Sequence, residues 1–360
     1  MNKEVLFAHY PKATVKRYQD LLGAFSNLDN AWKAEFNDFK HIGWKTETIN
    51  DFIYWRKNIN LDKIAEKLDS EQIHCITKND SDYPPLLREI FDPPFCLFVR
   101  GSLKNINYPL AIVGPRKYSI YGKQIAQSFA SKLAHIGFTI ISGLALGIDG
   151  IAHSSALDVN GMTSAVLGSG VNKSNVYPHA HKHLSERIIN AGGALISEYP
   201  PGTEANKFTF PQRNRIVAGM SLGTLVIEGA LKSGALITAQ CALDDGRELF
   251  AVPQNITSPT SSGVNTILKT GAHLVTNETD ILEILNLSGI LESIKPQTNV
   301  TPASSTEEKI LSVISEEPIH IDFIVKSTNL PSNSINSTLA LLELSGKIRN
   351  LGSMMFVKVS

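Results

Sequence analysis

The chain has 360 residues, of which 42% are hydrophobic and 19% charged, and its 34 Lys and Arg balance 34 Asp and Glu. That allows two or three domains with a sizeable core, and no apolar run approaches the ~18 residues of a spanning helix, so a membrane protein is ruled out. The opening residues lack an export signal's apolar core, and three cysteines without a C-x-x-C pair exclude a disulfide scaffold and a zinc ribbon, so a cytoplasmic location is expected.

Residues 1–70 read as a helical domain anchored by Leu21, Trp32, Phe36, Phe39, Trp44 and Trp55. A short strand follows at residues 73–77. From Tyr108 onward, aliphatic runs recur at 110–113, 138–141, 164–167, 194–197, 224–227, 248–252 and 273–275. Most are followed by a Gly, Ser or Pro turn and then a helical period. That pattern predicts an α/β fold over residues 71–286, a doubly wound parallel sheet. A Ser-, Pro-, Thr- and Asn-rich linker is expected at 287–302. Residues 303–360 then read as three short helices and a hairpin around Gly352-Ser353, the outline of a winged helix.

Charge is unevenly spread. Residues 111–219 hold ten Lys and Arg against five Asp and Glu, with five of the ten His. Residues 221–285 hold three against seven, and residues 303–360 five against six. A nucleic-acid binder can use such a local basic excess without a basic chain.

In open parallel sheets, ligands sit at the carboxyl ends of the strands, beside helix N-termini. Those ends carry Gly114 with Arg116, then Ser142-Gly143, then Gly168-Ser169-Gly170, then Lys207 through Arg215, then Ser233-Gly234. A single Gly at such a turn is usually only a turn. Neither a full dinucleotide fingerprint nor a G-x-x-x-x-G-K-[ST] loop is present, so no P-loop ATPase activity and no cofactor are expected. Together with Arg116, Lys207, Arg213 and Arg215, however, the turns describe a cleft for several phosphates. Phe208 and Phe210 lie beside Lys207, and Tyr118 and Tyr121 beside Arg116. Cations alternating with rings suit an unpaired strand, whose phosphates take the charge and whose bases take the stacking. His179-Ala180-His181-Lys182-His183 reads as a solvated face, not a metal site, because no Cys or carboxylate cluster accompanies it.

At these motifs the chain resembles the DNA-processing protein A (DprA/Smf) family of bacterial transformation. The matching segments are Gly114-x-Arg116-x-x-Ser119-x-Tyr121-Gly122, the run SGLALGIDGIAHSSAL at 142–157, and Ala165-Val166-Leu167-Gly168-x-Gly170 with Tyr177-Pro178. Further on come Ser197-Glu198, the run FPQRNRIVAG at 210–219, Ser233 to Ala239, and GRELFAVP at 246–253. The resemblance implies an extended Rossmann core, an N-terminal SAM-like helical domain and a C-terminal winged helix. It further implies single-stranded DNA binding in natural transformation and competence, a homodimer, and loading of the recombinase RecA onto incoming DNA, with no enzymatic activity. Arg116, Lys207 and Phe210 match family positions that contact DNA, and Arg213, Asn214 and Arg215 belong to the same motif.

The competing reading is an enzyme. Gly223-Thr224-Leu225-Val226-Ile227-Glu228 is reminiscent of a loop in Rossmann proteins that hydrolyse nucleoside monophosphates at the glycosidic bond, with Glu228 assisting departure of the base. The spacing from Thr224 to Glu228 is one residue longer than in that loop.

Overall fold

The computed structural model describes residues 2–289, 305–315, 318–328, 330–344, 347–350 and 354–358. The chain divides into two compact units, Met1–Glu292 and Ser293–Ser360.

The first unit begins with six helices: α1 (Lys3–Ala8), α2 (Val15–Phe25), α3 (Leu28–Lys33), α4 (Phe36–His41), α5 (Thr46–Asn58) and α6 (Leu61–Ser70). Asn2, Thr14, Asn27 and Asn60 cap four of them, each side chain accepting a hydrogen bond from a first-turn N–H. Phe52 gathers the scattered aromatics, meeting Phe7, Tyr10, Trp32, Phe39 and Trp44 edge-on. This cluster does not end with the helices. Tyr18 stacks on Phe95 at 4.5 Å and Phe7 tilts against it at 5.6 Å, so helices and sheet share one core.

The sheet region runs β1 (Ile73–Thr77), α7 (Pro85–Arg88), β2 (Cys96–Gly101), β3 (Leu110–Val113), α8 (Ile120–His135), β4 (Ile140–Ser142), α9 (Ile148–Asp158) and β5 (Thr163–Val166). It continues with α10 (Lys182–Asn190), β6 (Ala194–Ser197), α11 (Thr209–Gly219), β7 (Gly223–Val226), α12 (Gly234–Asp244), β8 (Glu248–Ala251), α13 (Ser262–Lys269), β9 (His273–Leu274) and α14 (Glu278–Ile284). The strand order is β1-β2-β6-β5-β4-β3-β7-β8-β9. Neighbours from β6 to β9 are parallel, while β2 pairs antiparallel with both β1 and β6. The doubly wound expectation holds, with an antiparallel pair added at one edge.

Two local readings change. The sequence reading omits β2, whose apolar run Phe95 to Val99 ends at a buried Arg100. Arg100 is 5% exposed, and its guanidinium donates to both Glu186 oxygens at 2.8 and 2.9 Å. Residues 209–215, expected in a loop, form the start of α11 instead. Pro211 lies in the first turn, where an N–H has no intrahelical acceptor to lose.

In the second unit, helices Ser305–Leu311, Ile321–Thr328 and Ser332–Leu344 accompany an antiparallel sheet of β10 (Ile319–His320), β12 (Met355–Lys358) and β11 (Ile348–Asn350), in that order. Ile310, Ile324, Ile335, Leu339 and Phe356 form its core. This is the expected winged helix. Beyond residue 289 the expected linker lies outside the described residues, as does the hairpin tip at Gly352-Ser353. No helix among the described residues is long and apolar enough to cross a membrane.

Candidate nucleic-acid interface

The chain winds outward from β3 through β4, β5 and β6, then returns to the other side of β3 with β7. At that reversal the loops leaving β3 and β7 part, and a crevice opens beyond the carboxyl ends of the strands. Its volume is about 230 Å³. Gly114 and Arg116 line it from the turn after β3, and Gly143 from the turn after β4. Phe210, Arg213 and Asn214 enter from α11, and Ser233 and Gly234 from the start of α12. Eight of the thirteen expected site residues therefore meet in one place.

Two of them form the mouth. Arg116 is exposed, with its guanidinium 5.2 Å above the Phe210 ring. Phe210 is half-buried and tilts against Tyr177 at 5.7 Å. Gly168 lies beside this ring, where an added Cβ would come 3.2 Å from Phe210 Cδ1. Gly114 has no room for a side chain because Ile148 of α9 occupies the space. Asn214 Nδ2 donates to the Gly234 carbonyl at 3.3 Å and ties α11 to α12. Ser233 caps α12, accepting from the Ala235 N–H at 3.3 Å.

The two motif arginines turn inward, contrary to the expectation that both face phosphates. Arg213 is 4% exposed, and its Nη1 donates to the carbonyls of Gly143 and Val166. Gly143 must lack a side chain because the Arg213 guanidinium occupies that position. Asp149 supplies the counter-charge and accepts from the N–H groups of Gly143 at 3.1 Å and Ala145 at 3.4 Å. Burial lowers Arg213 to about 10 with Asp149 opposing, so it remains a cation at neutral pH. Burial pushes the Asp149 carboxyl up, with Arg213 again opposing. Arg215 leaves the other side of α11. It pairs with Glu198 and, at 3.5 Å, with Asp92. Burial pushes Glu198 up, and Arg215 opposes that shift. Arg213 thus lies in the crevice wall, while Arg215 fastens the far face of α11.

Three other expected residues stand apart. Ser142 is fully buried, and its hydroxyl donates to Ile112 O at 2.7 Å, joining β4 to β3. Gly170 is buried against Pro200 O. Lys207 is exposed with Nζ 5.0 Å over the Phe208 ring, outside the crevice lining.

Two residues that the sequence reading assigned otherwise shape the site. Glu228 is fully buried; its carboxylate accepts from the Ser119 N–H at 3.0 Å and from the Ser119 and Thr260 hydroxyls. Ser119 Oγ in turn accepts from Gly122 N at 2.9 Å and caps α8. Glu228 thus anchors the turn bearing Arg116, and Gly122 lacks a side chain because the Glu228 carboxylate lies there. His181 departs from the solvated reading: its Nδ1–H donates to Leu144 O at 2.9 Å, and its ring packs on Gly150. Leu144 is itself held at φ +57°, a strained conformation for a branched residue and one that clusters at functional sites. Among the described residues, no group of three His, Cys, Asp or Glu could hold a metal ion.

A family model described as DNA recombination-mediator protein A matches residues 74–286, and one described as DprA winged helix domain matches residues 295–353. Protein Smf of Escherichia coli (strain K12) is 39% identical over 78% of this chain and 76% of its own length. DNA processing protein DprA of Streptococcus pneumoniae (strain ATCC BAA-255 / R6) is 37% identical over 65% of this chain and 82% of its own. The solved structure of DprA from Streptococcus pneumoniae superposes with a TM-score of 0.67 at 33% identity, covering 79% of this chain and 97% of that one. A structure of DNA processing protein A from Helicobacter pylori, described for its single-stranded DNA binding mode, superposes with a TM-score of 0.53 at 29% identity, covering 62% of this chain and 97% of that one. The crevice lies wholly within the matched core, and the chain belongs to the DNA recombination-mediator protein A family.

Proposed function

We propose that this chain binds single-stranded DNA across the crevice, protects incoming strands during natural transformation, and presents them to RecA as a cytoplasmic homodimer without catalysing a reaction. The observation that carries the reading is the Arg116–Phe210 pair at the topological switch point, a cation and a ring side by side over glycine turns. Phosphates pass along Arg116 and the start of α12, with Lys207 beyond them, while a base stacks on Phe210. The single-stranded DNA binding described for the Helicobacter pylori relative supports the same direction. Hydrolysis of nucleoside monophosphates is disfavoured because the Glu228 carboxylate is buried under α8 and already hydrogen-bonded.

Gel shifts of single-stranded against duplex DNA over a salt gradient test this. Arg116→Ala is expected to weaken single-strand binding and to lower the log–log salt slope by ~0.7, one phosphate contact. Phe210→Ala is expected to cost ~1–3 kcal/mol with an unchanged slope. Tighter binding to duplex than to single strands, or an unchanged slope without Arg116, would sink the proposal.

The second unit has a smaller part. Helix Ser332–Leu344, which a winged helix lays in a duplex groove, contains no Lys or Arg. Without cations the phosphate attraction behind non-specific affinity is missing. Ending the chain at residue 292 is expected to leave single-strand affinity within a few-fold of the full chain. Abolished binding would place the strand on the winged helix instead.

A further inference from the structure

A second cavity, of about 850 Å³, opens at the end of the sheet away from the crevice. Pro109, just before β3, and Met220, shortly before β7, line it, whereas the crevice lies beyond the carboxyl ends of those strands. Its floor is apolar, with Tyr83, Val99 and Met220 buried and Ile76, Leu86 and Ile106 half-buried. The outer edge of β1 opens into it as well. β1 stands last in the sheet and, among the described residues, pairs with β2 alone. Lys78 N donates to Phe95 O at 3.1 Å in the same register, so His74, Ile76 and Lys78 turn their backbone groups toward β2. Ile73, Cys75 and Thr77 turn theirs outward. Thr77 is satisfied, since its N–H donates to Asp80 Oδ2 at 2.7 Å and its carbonyl accepts from the Asp80 N–H at 3.0 Å. The N–H and C=O of Ile73 and Cys75 have no partner among the described residues.

A row of bare strand donors and acceptors beside an apolar groove suits an extended chain. The charge along the edge sets its direction. Asp80 and Asp82 are exposed on the rim past the carboxyl end of β1, and neither is in a salt bridge among the described residues. Lys104 is exposed on the rim past the carboxyl end of β2, hence at the opposite end of the edge, and it too has no salt bridge there. We propose that an extended segment of a partner protein adds to β1 as an antiparallel strand. Its leading end is basic and meets Asp80 and Asp82, and its trailing end is acidic and meets Lys104. Aliphatic side chains at alternate positions fill the groove. A second copy of β1 has the wrong polarity, with Glu71 before the strand and Lys78 after it. A ligand in the crevice leaves this edge open, so both sites can be filled at once.

The test is fluorescence anisotropy of the amidated peptide KVSVSVE, labelled at its N-terminus through a short linker, on the full chain. Saturable binding is expected. The reversed-charge peptide EVSVSVK is expected to bind about threefold more weakly at low salt, the scale of exposed charge pairs. Cys75→Pro removes one outward N–H without touching the β1–β2 ladder, and edge strands tolerate such a proline. It is expected to weaken KVSVSVE about fivefold, the scale of one hydrogen bond, with melting temperature and single-strand affinity at wild-type values. Two further peptides leave the protein unaltered, one N-methylated at its valines and the other at its serines. Only the one whose methyl groups face β1 is expected to lose binding. Absence of saturable binding, equal behaviour of the two N-methylated peptides, or equal or tighter binding of EVSVSVK overturns the proposal. Wild-type peptide affinity in Cys75→Pro overturns it too, and so does a change of oligomeric state, which assigns the edge to a second copy. None of these outcomes bears on the crevice, which shares no residue with the groove.

Discussion

Arg213→Ala is expected to destabilise the first unit by ~3–5 kcal/mol, because it strands a buried carboxylate. Asp149 is 7% exposed and has Arg213 as its cation, and the Gly143 and Val166 carbonyls lose their shared donor at the same time. Such a loss is a large part of a typical domain's stability and corresponds to a melting temperature lower by roughly 10 °C. Adding Asp149→Asn to Arg213→Ala is expected to restore part of the loss, since the stranded charge is then gone. Thermal melts of the two variants decide the matter. A variant that melts like the wild type and loses only DNA affinity would make Arg213 a contact after all.

Acid is expected to weaken the fold earlier than carboxylate titration alone would. His153 of α9 is fully buried. Its Nδ1–H donates to Thr163 Oγ1 at 2.6 Å, because the Thr163 hydroxyl hydrogen is already given to Ile140 O at 2.7 Å. Nε2 is buried without a partner, so a second proton there would find no acceptor. Burial, with His181 and Arg213 nearby, lowers the imidazole from 6.5 to about 3. The unfolded chain takes up that proton near pH 6.5 and the folded chain does not, so stability present above 6.5 is lost as pH falls toward 3. The slope approaches ~1.4 kcal/mol per pH unit for this one group. Burial lowers His9 too and adds in the same sense. Asp149 and Glu198, raised in the fold, act in the opposite sense at lower pH, so the loss is clearest from pH 6.5 to 5. Urea midpoints across that range should show a shallower dependence in His153→Asn, whose amide can replace the Nδ1–H donor. An unchanged dependence would mean that other groups carry it.

Much of the sheet could be read in advance because its central strands are buried on both faces and hence unbroken in aliphatic character. β3 and β6 lie at their expected positions for this reason. β2 was within reach, since Phe95 to Val99 is an unbroken apolar run; what no spacing shows is that the arginine after it is buried against a carboxylate far along the chain. The same blindness affected Arg213, whose acceptors are backbone carbonyls on two other strands' ends. Arg215 was within reach. Once 209–219 is taken as helix, Phe210, Arg213, Asn214 and Val217 fall on one face at i, i+3, i+4 and i+7, and Arg215 falls on the opposite one. Glu228 was misread for a related reason. Its spacing after Gly223 suggests an open catalytic loop, but the end of β7 delivers it under the first turn of α8, at a glycine some hundred residues earlier in the chain.

The aromatic seam between the first six helices and β2 bears on where this protein can be cut. Similarity to the family core begins at residue 74, one residue inside β1. A fragment starting there would lose Phe7 and Tyr18 from against Phe95 and would uncover Phe98 where His9 lies across it edge-on at 5.3 Å. It would also present a wide apolar face to water, the kind that draws chains into aggregates. The family-model match and the packed core have different borders in this chain: the match begins at residue 74, and the core reaches back into the first helices.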